Sequence, residues 1–294
     1  MESHLETQSH WHFVKKGHNL IMQDLISNVI ASDGRHIKIH GADAVENMRR
    51  AGKLAAECLD FITPHVQPAV TTGQLDRLCH DFIVDHGATP SPLNYRGFPK
   101  SICTSINHVV CHGIPGDKKL IEGDIINIDV TVTLNGWFGD TSRMFPVGKV
   151  GVKAKNLIDA TFEAMWEGIK VVQPGATLGD VGHAIQNFAE SQRYSVVRDF
   201  CGHGLGQVFH DAPNIMHYGN PGQGDVLQEG MFFTIEPMIN TGAFDVKILE
   251  DGWTAVTKDR SLSAQFEHSM GVTANGVEVF TLSPKGLDRP PYGF

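Results

Sequence analysis

Cysteine is scarce in this 294-residue sequence: there are five, at positions 58, 79, 103, 111 and 201, and no Cys-x-x-Cys pair. The odd count and the spacing argue against a disulfide framework and a zinc finger, and favour a reducing compartment. Long apolar runs are missing too; none approaches the roughly 20 residues that a membrane-spanning helix needs. The opening MESHLETQSHWHF lacks the basic-then-apolar order of a secretory leader. The expected location is therefore cytoplasmic, with no membrane partner. Positive charge is not in excess, with 24 Lys and Arg against 33 Asp and Glu, a net charge of −9. No basic stripe is present, so no nucleic-acid partner is expected. The remainder, 41% hydrophobic and 19% charged, is an ordinary globular composition with enough chain for a full core.

Residues 1–40 stand apart, holding six of the 16 histidines: His4, His10, His12, His18, His36 and His40. They are expected to form a solvated N-terminal extension, with metal recruitment the sharper alternative. A short helix is expected where Ile21, Leu25 and Val29 share a face. From Gly41 onward the pattern is regular. Val45, Met48, Gly52, Ala55, Leu59 and Ile62 recur at helical spacing, and so do Leu157, Thr161, Ala164, Gly168 and Val171. Gln67-Pro68 with Thr71 and Gly73 returns 106 positions later as Gln173-Pro174 with Thr177 and Gly179. Leu120, Glu122-Gly123 and Ile128-Asp129 return 107 positions later as Leu227, Glu229-Gly230 and Ile235-Glu236. Two motifs repeated in order at nearly one offset predict two related halves, about 45–150 and 151–282, inside one domain over 41–294. If the halves pack about a pseudo-two-fold axis, Asp129 and Glu236 face each other across the centre.

The acidic residues sit in unusual settings. Asp129 interrupts the strand-forming run Ile125 to Val132, and Asn135-Gly136 signals a tight hairpin turn. That turn sets Asp140 opposite Thr131, which puts Asp129 and Asp140 on one face as diagonal neighbours roughly 7–8 Å apart at the backbone. Two desolvated carboxylates so close repel unless a cation joins them. His203 lies among glycines in Cys201-Gly-His-Gly-Leu-Gly206, and Glu236 and Glu267 lie in apolar strand-like stretches. Oxygen-rich ligation with one imidazole suits a divalent first-row metal, and five such residues, four able to bridge, can hold two.

These words and their spacing are similar to a known family. From about Val45 to Thr281 the sequence resembles type I methionine aminopeptidases of the pita-bread fold. The resemblance rests on Ser105-Ile-Asn-His-Val-Val-Cys-His112-Gly-Ile-Pro115, Asn127-Ile-Asp129 with Gly139-Asp140-Thr141, Cys201 to Gly206 with Phe209-His210, Thr234-Ile-Glu236-Pro237, and Ser263-Ala-Gln-Phe-Glu267-His268. It implies an α+β fold of two pseudo-two-fold-related α/β halves, with a central antiparallel sheet and helices outside. It also implies that Asp129, Asp140, His203, Glu236 and Glu267 ligate two divalent ions of manganese, iron, cobalt or zinc. Glu236 would be the general base, with His112 and His210 flanking the scissile peptide. Tyr95, Phe98, Cys103, Phe209 and Trp253 would line the methionine pocket, while Pro92 and Phe98 replace the Cys and Tyr of many bacterial relatives. The implied activity is removal of the initiator methionine from nascent chains whose second residue is small, by a monomer with a possible ribosome association. Alternatives are an X-Pro aminopeptidase or prolidase-like enzyme, a non-catalytic partner-binding relative, or a cysteine hydrolase using Cys103 or Cys111 near His112. The 31 positions between Glu236 and Glu267 leave no room for the helical insertion of type II enzymes.

Overall fold

A computed structural model describes residues 27–292; His4, His10, His12, His18, Ile21 and Leu25 lie outside the described residues. Val29 belongs to a strand and not to a helix: β1 (Ser27–Ile30) pairs with β2 (His36–Ile39) as an antiparallel hairpin. The expectation of a solvated extension through residue 40 also fails over this hairpin. Ala31 and Ile37 are buried in the core of the second half, and the His40 amide donates to the Gly230 carbonyl at 2.9 Å. Alternating apolar residues at 29, 31, 37 and 39 supply the reason, because a hairpin buries one face only by packing on something else.

The helical periodicities become α1 (Ala42–Ile62) and α3 (Val152–Val171). α2 (Thr72–Asp85) and α4 (Leu178–Ser191) follow, each opened by a capping box, Thr71 with Gln74 and Thr177 with Asp180. Met48, Leu59 and Ile62 of α1 are fully buried, each contributing about 1.5–3 kcal/mol. In the first half β3 (Thr89–Pro90) and β4 (Cys103–Ile106) pair with β6 (Ile125–Leu134), while β5 (Val109–Cys111) joins a separate sheet. β7 (Trp137–Pro146) folds back on β6 through the Asn135-Gly136 turn, with Thr131 opposite Asp140 and Asp129 opposite Ser142. The register is the expected one.

In the second half β9 (Gly202–Gly204), β10 (Asp211–Ile215), β11 (Phe232–Ile235), β16 (His268–Thr273) and β17 (Gly276–Val279) form a five-stranded sheet. β8 (Ser195–Val196), β12 (Met238–Asn240) and β15 (Ser263–Gln265) form a second sheet. β13 (Val246–Ile248) and β14 (Ala255–Thr257) join β5 in a third. All these pairings are antiparallel. α1 lies on β6 and β7, and α3 lies on β11, β12 and β15.

The internal repeat reappears in the hydrogen bonds. Ala69 N–H donates to Leu120 O and Gly175 N–H to Leu227 O, both at 2.9 Å or less. Thr71 bridges Lys119 as Thr177 bridges Val226. The Gly123 amide donates to Val147 O and the Val147 amide to Asp124 O, just as the Gly230 amide donates to Val272 O and the Val272 amide to Met231 O. The halves meet where the Glu267 amide donates to Ser142 O at 3.1 Å and the Ser142 amide returns a bond to Glu267 O. Among the described residues no helix is long and apolar enough to cross a membrane.

Candidate active site

A cavity of about 350 Å³ opens at the junction of the halves. All five ligand-type residues line it: Asp129 from β6, Asp140 from β7, His203 from β9, Glu236 just past β11, and Glu267 between β15 and β16. His112, His210, Tyr95, Phe98, Cys103, Phe209 and Trp253 line the same cavity, as does Pro92. The fold thus brings together every residue singled out in the sequence for the site.

Asp140, His203 and Glu267 are buried and offer one ligand atom each within 4.8 Å of one another. His203 Nε2 lies 3.5 Å from Asp140 Oδ2 and 3.7 Å from Glu236 Oε1. Its Nδ1 contacts the Gly204 carbonyl at 3.0 Å, so a proton held there leaves the Nε2 lone pair facing the carboxylates. Gly202 and Gly204 make this placement feasible, since a Cβ at either would collide with the Thr234 or Ala212 carbonyl oxygen.

Neighbouring polar groups orient the carboxylates. Thr131 Oγ1 donates to Asp140 Oδ1 at 2.7 Å. Thr234 Oγ1 accepts from the His203 amide at 3.1 Å and donates to Glu236 Oε1 at 2.8 Å, tying two candidate ligands together. Gln265 Nε2 donates to Glu236 Oε2 at 3.2 Å, and the Glu236 amide donates to His217 Nε2 at 3.1 Å. Sequence reasoning gave Thr131, Thr234, Gln265 and His217 no role. Thr131 was accessible to it, being the residue the hairpin register sets opposite Asp140.

The electrostatics of the cluster are those of like charges held together out of water. Burial, then the charges of Asp140 and Glu236, raises the Asp129 carboxyl well above its ordinary range. Glu267 is raised likewise by burial and by Asp140, Glu236 and Asp129. Burial lifts Glu236 to about 7, with the His203 charge opposing and the Asp140 charge assisting. For His203 burial pulls downward, but its hydrogen bond to Asp140 and the charges of Glu236 and Asp140 carry the net shift upward. Four carboxylates and an imidazole this close are stable together when a divalent cation lies between them, and oxygen-rich ligation suits such an ion.

The remaining wall is aromatic and apolar. Phe98 meets Trp253 edge-on with centroids 5.2 Å apart, and Tyr95 packs on Phe209 at 4.8 Å. His112 lies edge-on to Phe200 and Trp253, and burial alone lowers its pKa. His210 packs against His203 and Phe209 with one edge open, and its Nδ1 contacts the Tyr95 hydroxyl at 2.9 Å. Loss of solvation, then the neighbouring His203, lowers His210 to about 4. Both imidazoles are therefore neutral at pH 7. Burial and nearby carboxylates raise the thiols of Cys103 and Cys111 well above 9, which argues against a thiolate nucleophile.

A buried carboxylate and imidazole cluster at the meeting of two repeated halves defines a metallohydrolase, and the chain belongs to metallopeptidase family M24, whose model matches residues 46–274. Over 257 residues it is 65% identical to the methionine aminopeptidase of Rickettsia prowazekii (strain Madrid E), covering 87% of this chain and 99% of that one. The crystal structure of the Rickettsia prowazekii methionine aminopeptidase superposes with a TM-score of 0.83 at 64% identity, over 84% of this chain and all of that one. The crystal structure of the methionine aminopeptidase from Thermotoga maritima gives 0.82 at 39% identity, over 83% and 99%.

Proposed function

We propose that this chain removes the N-terminal initiator methionine from nascent polypeptides whose second residue is small, by metal-assisted attack of water on the first peptide bond. The observation that carries this reading is a single cavity, with Asp140, His203 and Glu267 clustered at one wall and aromatic, aliphatic and thiol groups on the others. The fit to divalent metal is supported by the raised carboxyls, which a cation between them would relieve. Asp129, Asp140, His203, Glu236 and Glu267 would hold two ions of manganese, iron, cobalt or zinc. Bound there, the ions supply a Lewis acid and a water acidic enough to attack at neutral pH.

The chain's own groups do the rest. Glu236 takes a proton from the attacking water at a carboxylate oxygen held by Thr234 or Gln265. His210, neutral and fixed through Nδ1 by Tyr95, presents Nε2–H to the carbonyl oxygen as charge develops. His112, also neutral, contacts the scissile nitrogen or the departing amine. Tyr95, Phe98, Cys103, Phe209 and Trp253 take the thioether side chain, a match of soft and apolar surfaces. Residues 41–294 act as one catalytic unit, a cytoplasmic monomer meeting nascent N-termini, at the ribosome or after release.

A peptide beginning Met-Ala-Ser and its N-acetylated twin separate this reading from an endopeptidase. Free methionine is expected from the first alone. Cleavage of the acetylated peptide, or of any internal bond, would overturn the proposal.

A further inference from the structure

One cation lines the cavity without serving the metal cluster. Arg96 is the only Lys or Arg among the lining residues, and it forms no salt bridge with any described residue. Its backbone is left-handed (φ 48°), between Asn94 (φ 66°) and Gly97 (φ 88°). A non-glycine residue there is held at a cost of about 1–2 kcal/mol and persists where its surroundings determine it. The guanidinium lies 5.3 Å from the centroid of the Tyr95 ring, whose hydroxyl contacts His210. Arg96 and His210 are both exposed, so this stretch of wall forms part of the cavity mouth.

We infer that Arg96 is a specificity determinant for the third and fourth residues of the substrate, favouring acidic side chains over basic ones. The inference rests on the proposed function, which sets His210 against the scissile carbonyl. With methionine inside against Tyr95, the rest of the polypeptide leaves through the mouth, where the exposed Arg96 and His210 both contact the Tyr95 ring. Stacking on Tyr95 limits the orientations of the guanidinium, which keeps its planar fork available to a carboxylate. Asp199 also lines the cavity, beside the Phe200 that packs on His112. No salt bridge joins it to Arg96 among the described residues, so the guanidinium is not neutralised by it.

The test compares kcat/KM for Met-Ala-Asp-Asp, Met-Ala-Ser-Ser and Met-Ala-Lys-Lys peptides with the metal-loaded full chain at low salt. The wild type is expected to favour the Asp peptide over the Lys peptide by roughly three- to tenfold, the scale of an exposed ion pair gained on one side and lost on the other. About 0.5 M salt should collapse the ratio, a readout that needs no variant. Arg96→Gln should bring the ratio close to one, and Arg96→Glu should reverse it. Equal rates for the Asp and Lys peptides in the wild type, or a preference for Lys through Asp199, would overturn the inference and leave the proposed function standing. No methionine released from any of the three would instead overturn the proposed function.

Discussion

Glu236 is held at both carboxylate oxygens, by Thr234 at 2.8 Å and Gln265 at 3.2 Å, and at its amide by His217 at 3.1 Å. Such fixation leaves a carboxylate little freedom to reorient, which suits the proposed double role of holding a cation and accepting a proton. Glu236→Ala and His203→Ala are therefore expected to abolish turnover, while His210→Ala lowers kcat by about 10²- to 10³-fold, the scale of losing one oxyanion donor. Steady-state kinetics on a Met-Ala peptide checks all three, and near-wild-type activity in Glu236→Ala would sink the assignment. At this scale the ligand-type residues were legible because each is an acid or imidazole in an apolar or glycine-rich setting. Of the supporting groups only Thr131 was, through the hairpin register that sets it opposite Asp140. Gln265 reaches Glu236 from a strand that lies 29 positions away in sequence, and neither composition nor spacing records such a contact.

Among the elements, the β6–β7 hairpin was readable down to its register, since Asn135-Gly136 fixes the turn and side chains alternate strictly from there. The β1–β2 hairpin was not. Its strands are only four residues each, and their burial depends wholly on the second half. His40 closes that hairpin, stacked on Phe232 with ring centroids 4.4 Å apart. Burial, then the charge of Lys38, lowers its pKa from 6.5 to about 4. The unfolded chain binds this proton below about 6.5 and the folded chain only near 4, so the contribution to stability is present above 6.5 and is lost as pH falls through that window. Urea unfolding measured from pH 7 to pH 4.5 should show a shallower acid loss in His40→Phe, which keeps the stacking. An unchanged slope would mean that His40 is not held neutral in the fold.

At the scale of the described residues, the 106- and 107-residue offsets match paired backbone contacts such as Ala69 with Leu120 and Gly175 with Leu227. What no offset announced is the internal tie of the first half. Arg143 of β7 is wholly buried and donates to Asp60 of α1 at 2.6 Å, and Ser283 near the C-terminal end of the described chain donates to the same oxygen at 2.7 Å. Three segments far apart in sequence converge there, behind the strand that carries Asp140. Asp60→Ala leaves the guanidinium buried without its partner and is expected to cost about 3–5 kcal/mol in urea unfolding. Loss of less than about 1 kcal/mol would show that the guanidinium finds water or another acceptor.

Metal-dependent release of methionine is the claim on which the rest depends. The chain would be stripped with a chelator and assayed on Met-Gly-Met-Met and Met-Leu-Met-Met, with manganese, cobalt, iron and zinc restored one at a time. The expected result is no release from the stripped protein, and metal-restored release of methionine from the first peptide but not the second. Full activity after stripping, or no release with any of the four metals, would contradict the account.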